Sequence, residues 1–310
     1  MTRSLAALAA LAVCFPLPAR ADEPAPKPPP PPPPPPYSIP FQLRSAAAAN
    51  VVRSDTSFAT YTDPATGRRG STVASFLVGT YQVLPNFNPM VRLGVVGNTV
   101  STNGQHGAVS FTNPLLGASY LFKLADFRLV PFLALTLPIG TGGGNEPDPG
   151  AAAANRSGVL ARAAMDNAMF AVNDFTIIAG VDAALVKGGF TVQLEATFLE
   201  LLRVRGEAVQ PDAAKTNFTS GLHLGYQVAP PLALGVELRY QRWLVPPKAV
   251  AADATLKAWD NLSLALGLRT RLELSKTVVA RPAVVYWRGL DRPLSTGDWG
   301  VFQFDVPVSF

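Results

Sequence analysis

From Pro40 to the C-terminus, apolar and polar positions alternate with a period of two through one segment after another. This is the pattern of strands with one apolar and one polar side. In Asn261–Leu274, Leu262, Leu264, Leu266, Leu268, Leu272 and Leu274 share one face, and Ser263, Gly267, Arg269, Arg271 and Glu273 the other. In Leu232–Leu244, Leu232, Leu234, Val236, Leu238 and Tyr240 oppose Gly235, Glu237, Arg239 and Gln241. In Thr216–Val228, Phe218, Leu222, Leu224, Tyr226 and Val228 oppose Thr219, His223 and Gln227. The pattern predicts about twelve strands: Pro40–Tyr61, Ser71–Val83, Met90–Val100, Phe111–Leu124, Phe127–Ile139, Val172–Val186, Phe190–Arg205, Thr216–Val228, Leu232–Leu244, Asn261–Leu274, Thr277–Gly289 and Gly300–Phe310.

Short and long connections alternate between these strands. Leu84–Asn88, Ala125-Asp126, Lys187–Gly189, Ala229–Pro231 and Ser275-Lys276 are short. Thr62–Gly70, Ser101–Ser110, Gly140–Ala171, Gly206–Lys215, Val245–Asp260 and Leu290–Trp299 are longer and more polar. A soluble β-sandwich has no reason to sort its loops in this way. A transmembrane barrel does, with tight periplasmic turns and long external loops. The expected fold class is therefore all-β: a transmembrane antiparallel up-and-down β-barrel of about twelve strands over 40–310, both termini periplasmic. Apolar faces then meet lipid and the others the lumen. Pro40–Tyr61 is too long for one crossing, so it either projects above the bilayer or breaks near Asn50. Pro131, Pro282 and Pro307 each remove a ladder donor and are expected at bulges. Glu200 falls on the lipid face, which places it above the bilayer or beside a bulge.

The final strand, Gly300-Val-Phe-Gln-Phe-Asp-Val-Pro-Val-Ser-Phe310, puts Phe302, Phe304, Val306, Val308 and Phe310 on one face. It resembles the C-terminal strand of Gram-negative outer-membrane β-barrels, in which a terminal Phe is read by the barrel-assembly machinery. That resemblance implies an assembly signal in Phe304, Val306, Val308 and Phe310. A narrower one lies in Asn113-Pro-Leu-Leu-Gly-Ala-Ser-Tyr-Leu-Phe122 followed by Pro131-Phe-Leu-Ala-Leu-Thr-Leu-Pro-Ile-Gly-Thr141. It looks like the outer-membrane transporters linked to meta-pathway phenol degradation, and implies uptake of small organic compounds.

Composition agrees with this fold. The chain is 48% hydrophobic and only 15% charged, and beyond its start it lacks the roughly 18-residue apolar run of a helical span. Met1–Ala21 reads as a cleaved secretory signal peptide, with Arg3, an apolar Leu5–Phe15 and an Ala19-Arg-Ala21 site. Cys14, the sole cysteine, lies within it; the Leu11-Ala-Val-Cys14 lipoprotein-like box is spoiled by bulky Val13. Without Arg3 and Arg20, 24 basic residues face 21 acidic ones, a net charge of +3. That is too mild to argue for nucleic acid. Residues 22–39 form a proline-rich periplasmic leader, with an unbroken proline run from Pro28 to Pro36. This run is a spacer of roughly 28 Å at ~3.1 Å per residue, or the ligand of a periplasmic partner.

Two groups of residues stand out for chemistry. On the lumen face, Arg239, Arg269, Arg271 and Arg281 oppose Glu195, Glu237 and Glu273, with His223, Gln193 and Thr197 nearby. They form either a structural charge ladder or a lining that selects anions. In the third external loop, Gly140–Ala171, Glu146-Pro-Asp-Pro149 is followed by a helix-favouring stretch from Ala151 to Met169. Leu160, Ala164, Met165 and Ala168 fall near one helical face, with Arg162 and Asp166 elsewhere. The segment is either an inward-folded constriction built on Leu160, Arg162, Met165 and Asp166, or a disordered external loop. Neither His106 nor His223 has the nearby serine of an outer-membrane phospholipase, metal-ligand spacing is missing, and Gly140–Gly144 lacks a phosphate-binding lysine. The sequence thus implies no cofactor and no enzyme. It implies a barrel for passive passage of small solutes, organic or anionic; the alternative is a closed-lumen barrel with a structural, anchoring or surface-binding role.

Deleting Phe310 should reduce outer-membrane levels of the protein. A heat-modifiable band at parental intensity in outer-membrane fractions would contradict the assembly role.

Overall fold

In the computed structural model the described residues are 37–62, 67, 69–99, 107–252, 259–292, 294–295 and 298–310. The signal peptide, Cys14, the proline tract and His106 lie outside them.

Twelve antiparallel staves close into one barrel. They are β1 (Val51–Thr62), β2 (Arg69–Thr80) and β3 (Phe87–Asn98), then a fourth divided into β4 (Val109–Phe111), β5 (Leu115–Tyr120) and β6 (Phe122–Leu124). β7 (Phe127–Thr136), β8 (Asp174–Lys187), β9 (Phe190–Arg203), β10 (Ala214–Ala229) and β11 (Leu232–Val245) follow. The tenth is β12 (Asp260–Thr270) with β13 (Leu272–Glu273), the eleventh β14 (Val279–Ala280) with β15 (Ala283–Gly289), and the last is β16 (Gly300–Ser309). β16 pairs with β1 from Val51↔Ser309 to Thr60↔Gly300, which closes the ring. A bilayer offers no partner for an open strand edge, so this seam is as necessary as any hairpin.

Burial runs opposite to that of a soluble protein. Leu77, Leu93, Leu133, Leu194, Phe198, Leu266 and Phe302 are exposed on the outer wall, while Asp55, Asp182, Gln193, His223, Glu237, Gln303 and Asp305 are fully enclosed. An apolar belt of this extent matches hydrocarbon and not water. Phe302, Phe304 and Phe310 all face outward; Phe304 packs edge-on against Phe58, and Phe302 packs at a tilt against Tyr286.

Several expectations change. The first stave begins at Val51, so the chain does break near Asn50, and Tyr37–Asn50 is not strand. The three prolines sit at no bulge. Around Pro131, pairing passes from Ser119↔Phe132 to Phe122↔Leu129, an equal step on both strands. Around Pro282 and Pro307 it passes from Ala283↔Asp305 to Ala280↔Val308, again without an inserted residue. Each proline removes one N–H, but its carbonyl can still serve the ladder: Thr270 N donates to Pro282 O at 2.8 Å and Arg281 N to Pro307 O at 2.9 Å. Register therefore survives. Glu200 also sits in an unbroken ladder, paired with Ile177 and Thr216. It faces outward near the long-loop end and accepts from the Thr216 hydroxyl at 2.7 Å.

The long loops lie at one end of the barrel and the tight turns at the other. A cysteine at Val209, between β9 and β10, should react with an impermeant thiol reagent on whole cells, and one at Gly188 should not. Labelling at Gly188 alone would reverse the orientation.

Candidate functional site

The lumen is occupied by two pieces of the chain itself. The first is Tyr37–Asn50, which runs through the barrel before β1. It is not strand-paired, so its backbone groups need partners elsewhere, and the wall side chains supply them. Glu237 accepts from the backbone N–H groups of Phe41 (2.7 Å), Gln42 (3.0 Å) and Leu43 (3.1 Å). Glu195 accepts from Arg44 N at 2.9 Å, and Thr191 from Ser38 N at 3.0 Å. Arg269 donates to the carbonyls of Ile39 and Pro40, Gln303 to Phe41, Gln193 to Arg44, and Arg128 to Ala46. Burying a carboxylate costs several kcal/mol. Three bonds to a charged acceptor at roughly 1.5–3 kcal/mol each offset that, so Glu237 holds the segment at no net loss.

Glycines make the room. Gly225, Gly235 and Gly267 lie in register across β10, β11 and β12. A Cβ on Gly235 or Gly267 would come within 2.7 Å of Phe41 Cζ, and one on Gly221 within 2.5 Å of Leu43. Phe41 and Leu43 are accordingly buried, with His223 edge-on to the Phe41 ring.

The second piece is the third long loop. Asp148 caps α1 (Pro149–Ala161) by accepting from Ala151 N at 2.7 Å, with Pro149 in the first turn. The helix ends at Arg162; Ala163 and Ala164 turn the chain with φ of 52° and 60°, and α2 (Asn167–Phe170) follows. Gly158 lets Phe170 tuck beneath α1, since a Cβ there would collide with its ring. The loop is therefore ordered and folded inward. Two of the residues expected in a constriction, Arg162 and Asp166, point into the barrel. Arg162 binds Asp55 at 2.8 Å, Ser57 at 3.0 Å and Asp166 at 2.7 Å, and Arg92 grips Asp166 in a fork at 2.5 and 2.8 Å. Burial alone would raise the Asp166 carboxyl, but the Arg92 and Arg162 guanidiniums override it and hold it well below the usual carboxylate range. Met165, Ala168, Met169 and Phe170 are buried as the apolar stripe requires, and Leu160 packs beside them. Asn113, from the motif noted in the sequence, holds both loop ends. It donates to Ala171 O at 2.9 Å and accepts from Gly140 N at 3.0 Å.

Between the two pieces lies a chamber of about 150 Å³. The N-terminal segment lines it with Leu43 and Arg44, the loop with Met165 and Met169, and the wall with Val130, Ile178, Asp182, Glu195, Leu199 and Arg239.

The structure gathers most of the residues picked out by sequence. Glu195, His223, Glu237, Arg239 and Arg269 are buried in the lumen. Arg239 lies 3.6 Å from Glu237 and 3.8 Å from Glu195, so part of the expected charge ladder is present, while Glu195, His223, Glu237 and Arg269 also bond the N-terminal segment. Arg269 is further tied to Asp305 and through it to Arg53. Arg271 and Glu273 are not in the lumen. β12 ends at Thr270, where Arg271 N bonds Pro231 O at the rim, and the two side chains pair at 3.0 Å while 42% and 68% exposed. Such exposed pairs contribute at most ~1 kcal/mol. The Arg281 guanidinium turns to Ser309 at 3.2 Å; only its carbonyl meets Arg269, at 2.6 Å. The residues missed were the segment itself, Arg53, Asp55, Arg92, Asp182, Gln303 and Asp305. The in-register lumen glycines were the available signal for the segment.

Ser38, His223 and Glu237 stand in a row that invites comparison with a hydrolase triad. Ser38 Oγ is 3.2 Å from His223 Nε2, but His223 Nδ1 is 3.7 Å from Glu237, beyond a hydrogen bond. Glu237 is committed to backbone amides, and none of the three lines the chamber. The arrangement anchors the N-terminal segment. Among the described residues no group of three or more His, Cys, Asp or Glu is placed to hold a metal.

Replacing Glu237 with Ala should free the segment. A cysteine at Leu43, protected in the parent, should then become reactive to thiol reagents in the folded protein; unchanged protection would show that the remaining bonds suffice.

No family model and no curated protein matches the chain. Solved structures do. An outer-membrane channel from Pseudomonas putida F1 aligns at 10% identity over 88% of this chain and 100% of its own, with a TM-score of 0.52. The KdgM porin aligns at 10% identity over 84% and 99%, with a TM-score of 0.45. At these identities the likeness concerns the backbone alone: the chain has the fold of an outer-membrane β-barrel.

Proposed function

We propose that the protein is an outer-membrane channel for small organic solutes, with its path held shut by Tyr37–Asn50 and by the third loop. The observation that carries this reading is the chamber between two segments that are not part of the wall. The staves are bonded to each other around the ring and do not rely on either segment for closure. Removing the segments would leave a polar lumen that water can fill. The apolar wall at Val130, Ile178 and Leu199 suits an organic solute better than a bare ion. The outward Phe310 and the apolar outer belt support insertion by the barrel-assembly machinery. The likeness to the Pseudomonas putida channel supports the same location.

The dense bonding of Tyr37–Asn50 favours a second reading, a permanently filled barrel that serves as an anchor. Single-channel recording in planar bilayers separates the two. Three variants are needed: one lacking residues 37–49, one with Glu146–Asn167 replaced by a Gly/Ser linker, and one with both changes. The double variant should conduct several-fold better than the parent, and each single variant less. A folded double variant that stays silent would favour the anchor.

A further inference from the structure

Asp182 makes no salt bridge among the described residues. The other enclosed lumen carboxylates are all paired: Asp55 with Arg162, Asp166 with Arg92, Glu195 with Arg44, Glu237 with Arg239, and Asp305 with Arg53 and Arg269. Asp182 is fully buried. One of its oxygens accepts from Gln193 Nε2 at 3.0 Å; the other, Oδ2, has no hydrogen-bond partner. Its in-register neighbours are Val130 and Glu195. Val130 offers nothing, and Glu195 is a second acceptor already engaged by Arg44. A buried acceptor left open costs ~1–3 kcal/mol, more when charged.

This open oxygen belongs to a residue that lines the chamber. Further along the same wall, Ile178 and Leu199 are paired in register and buried, and Met169 of the loop also lines the chamber. The site thus has an acceptor at one end and an apolar body, the plan of small-molecule pockets in general. A space of about 150 Å³ is of the order that admits a single six-membered ring.

We propose that the chamber binds a ring-sized organic molecule whose N–H or O–H donor is received by Asp182. This deepens the channel reading by naming the chemistry of its solute, and it rests on that reading only for the route of entry. An ammonium and a hydroxyl share the donor chemistry. A carboxylate of the same size lacks it and would meet two acidic side chains, Asp182 and Glu195.

The test uses the full chain in lipid nanodiscs, equilibrated overnight with cyclohexylamine, cyclohexanol or cyclohexanecarboxylate, with binding read by calorimetry. Saturable one-to-one binding of the amine, the alcohol or both is expected, with the amine alone pointing to a cationic ligand and the alcohol alone to a neutral one. Asp182→Asn should weaken that binding at least tenfold. Ile178→Phe, which fills the apolar end, should abolish it, and this second variant serves if the first does not fold. Binding unchanged by both substitutions overturns the proposal, as does equal binding of the carboxylate. An absence of saturable binding by amine and alcohol also overturns it, and leaves Asp182 to a water or to a proton shared with Glu195. Because the readout is binding to the closed parent protein, it is independent of conductance. A silent double-deletion variant would defeat the channel reading without touching this one.

Discussion

A backbone that is neither in water nor in a sheet must find its hydrogen-bond partners among side chains. That constraint governs the inside of this protein. The wall meets the bilayer by pairing every stave with two neighbours, down to the β1–β16 seam. The segment from Tyr37 to Asn50 has no stave beside it, and it crosses the lumen on Glu237, Glu195, Thr191, Gln193, Arg269 and Gln303. Those residues, in turn, would be costly in a narrow barrel if left alone. The enclosed charges and the unpaired backbone satisfy each other.

The same principle explains the third loop. An α-helix satisfies its own backbone, so this loop can enter the lumen without a cradle of the first kind. Its ends are fixed by Asn113, and Arg162 and Asp166 pin its inner tip through Asp55, Ser57 and Arg92. The two occupants thus differ in how they are held. One is bonded along its backbone at many points; the other is pinned by one ionic cluster and by the packing of Met165, Met169 and Phe170. Asp182, on the chamber wall between them, is one place where the mutual satisfaction of charge and backbone is incomplete.

The wall was legible in the sequence because a strand between lipid and lumen must alternate. Leu262 to Leu274 and Phe302 to Phe310 carry that alternation openly, and the sorting of short and long connections set the barrel apart from a sandwich. Boundaries erred where alternation ran past the membrane: Arg271 and Glu273 have the parity of the lumen but lie at the rim, because parity reports which way a side chain points and not how high it stands. The prolines misled for a related reason. A missing N–H suggested bulges, yet the carbonyl on the same residue kept the ladder in register.

What the sequence determined by itself was therefore local and periodic: the strands, their faces, the helix-forming stretch of the third loop and the polar residues of the lumen. The tertiary structure alone decided what those polar residues meet. Gly225, Gly235 and Gly267 are far apart in sequence and become one groove only when β10, β11 and β12 pair in register; only then does Phe41 have a seat. Glu237 stands 3.6 Å from Arg239, as a charge ladder requires, but sequence shows the charge of a side chain and not its other partners. Those are backbone amides almost two hundred residues away, at 195 and 196 positions' separation for Gln42 and Phe41. No period in the chain records a contact of that range, because it is made by closing the barrel.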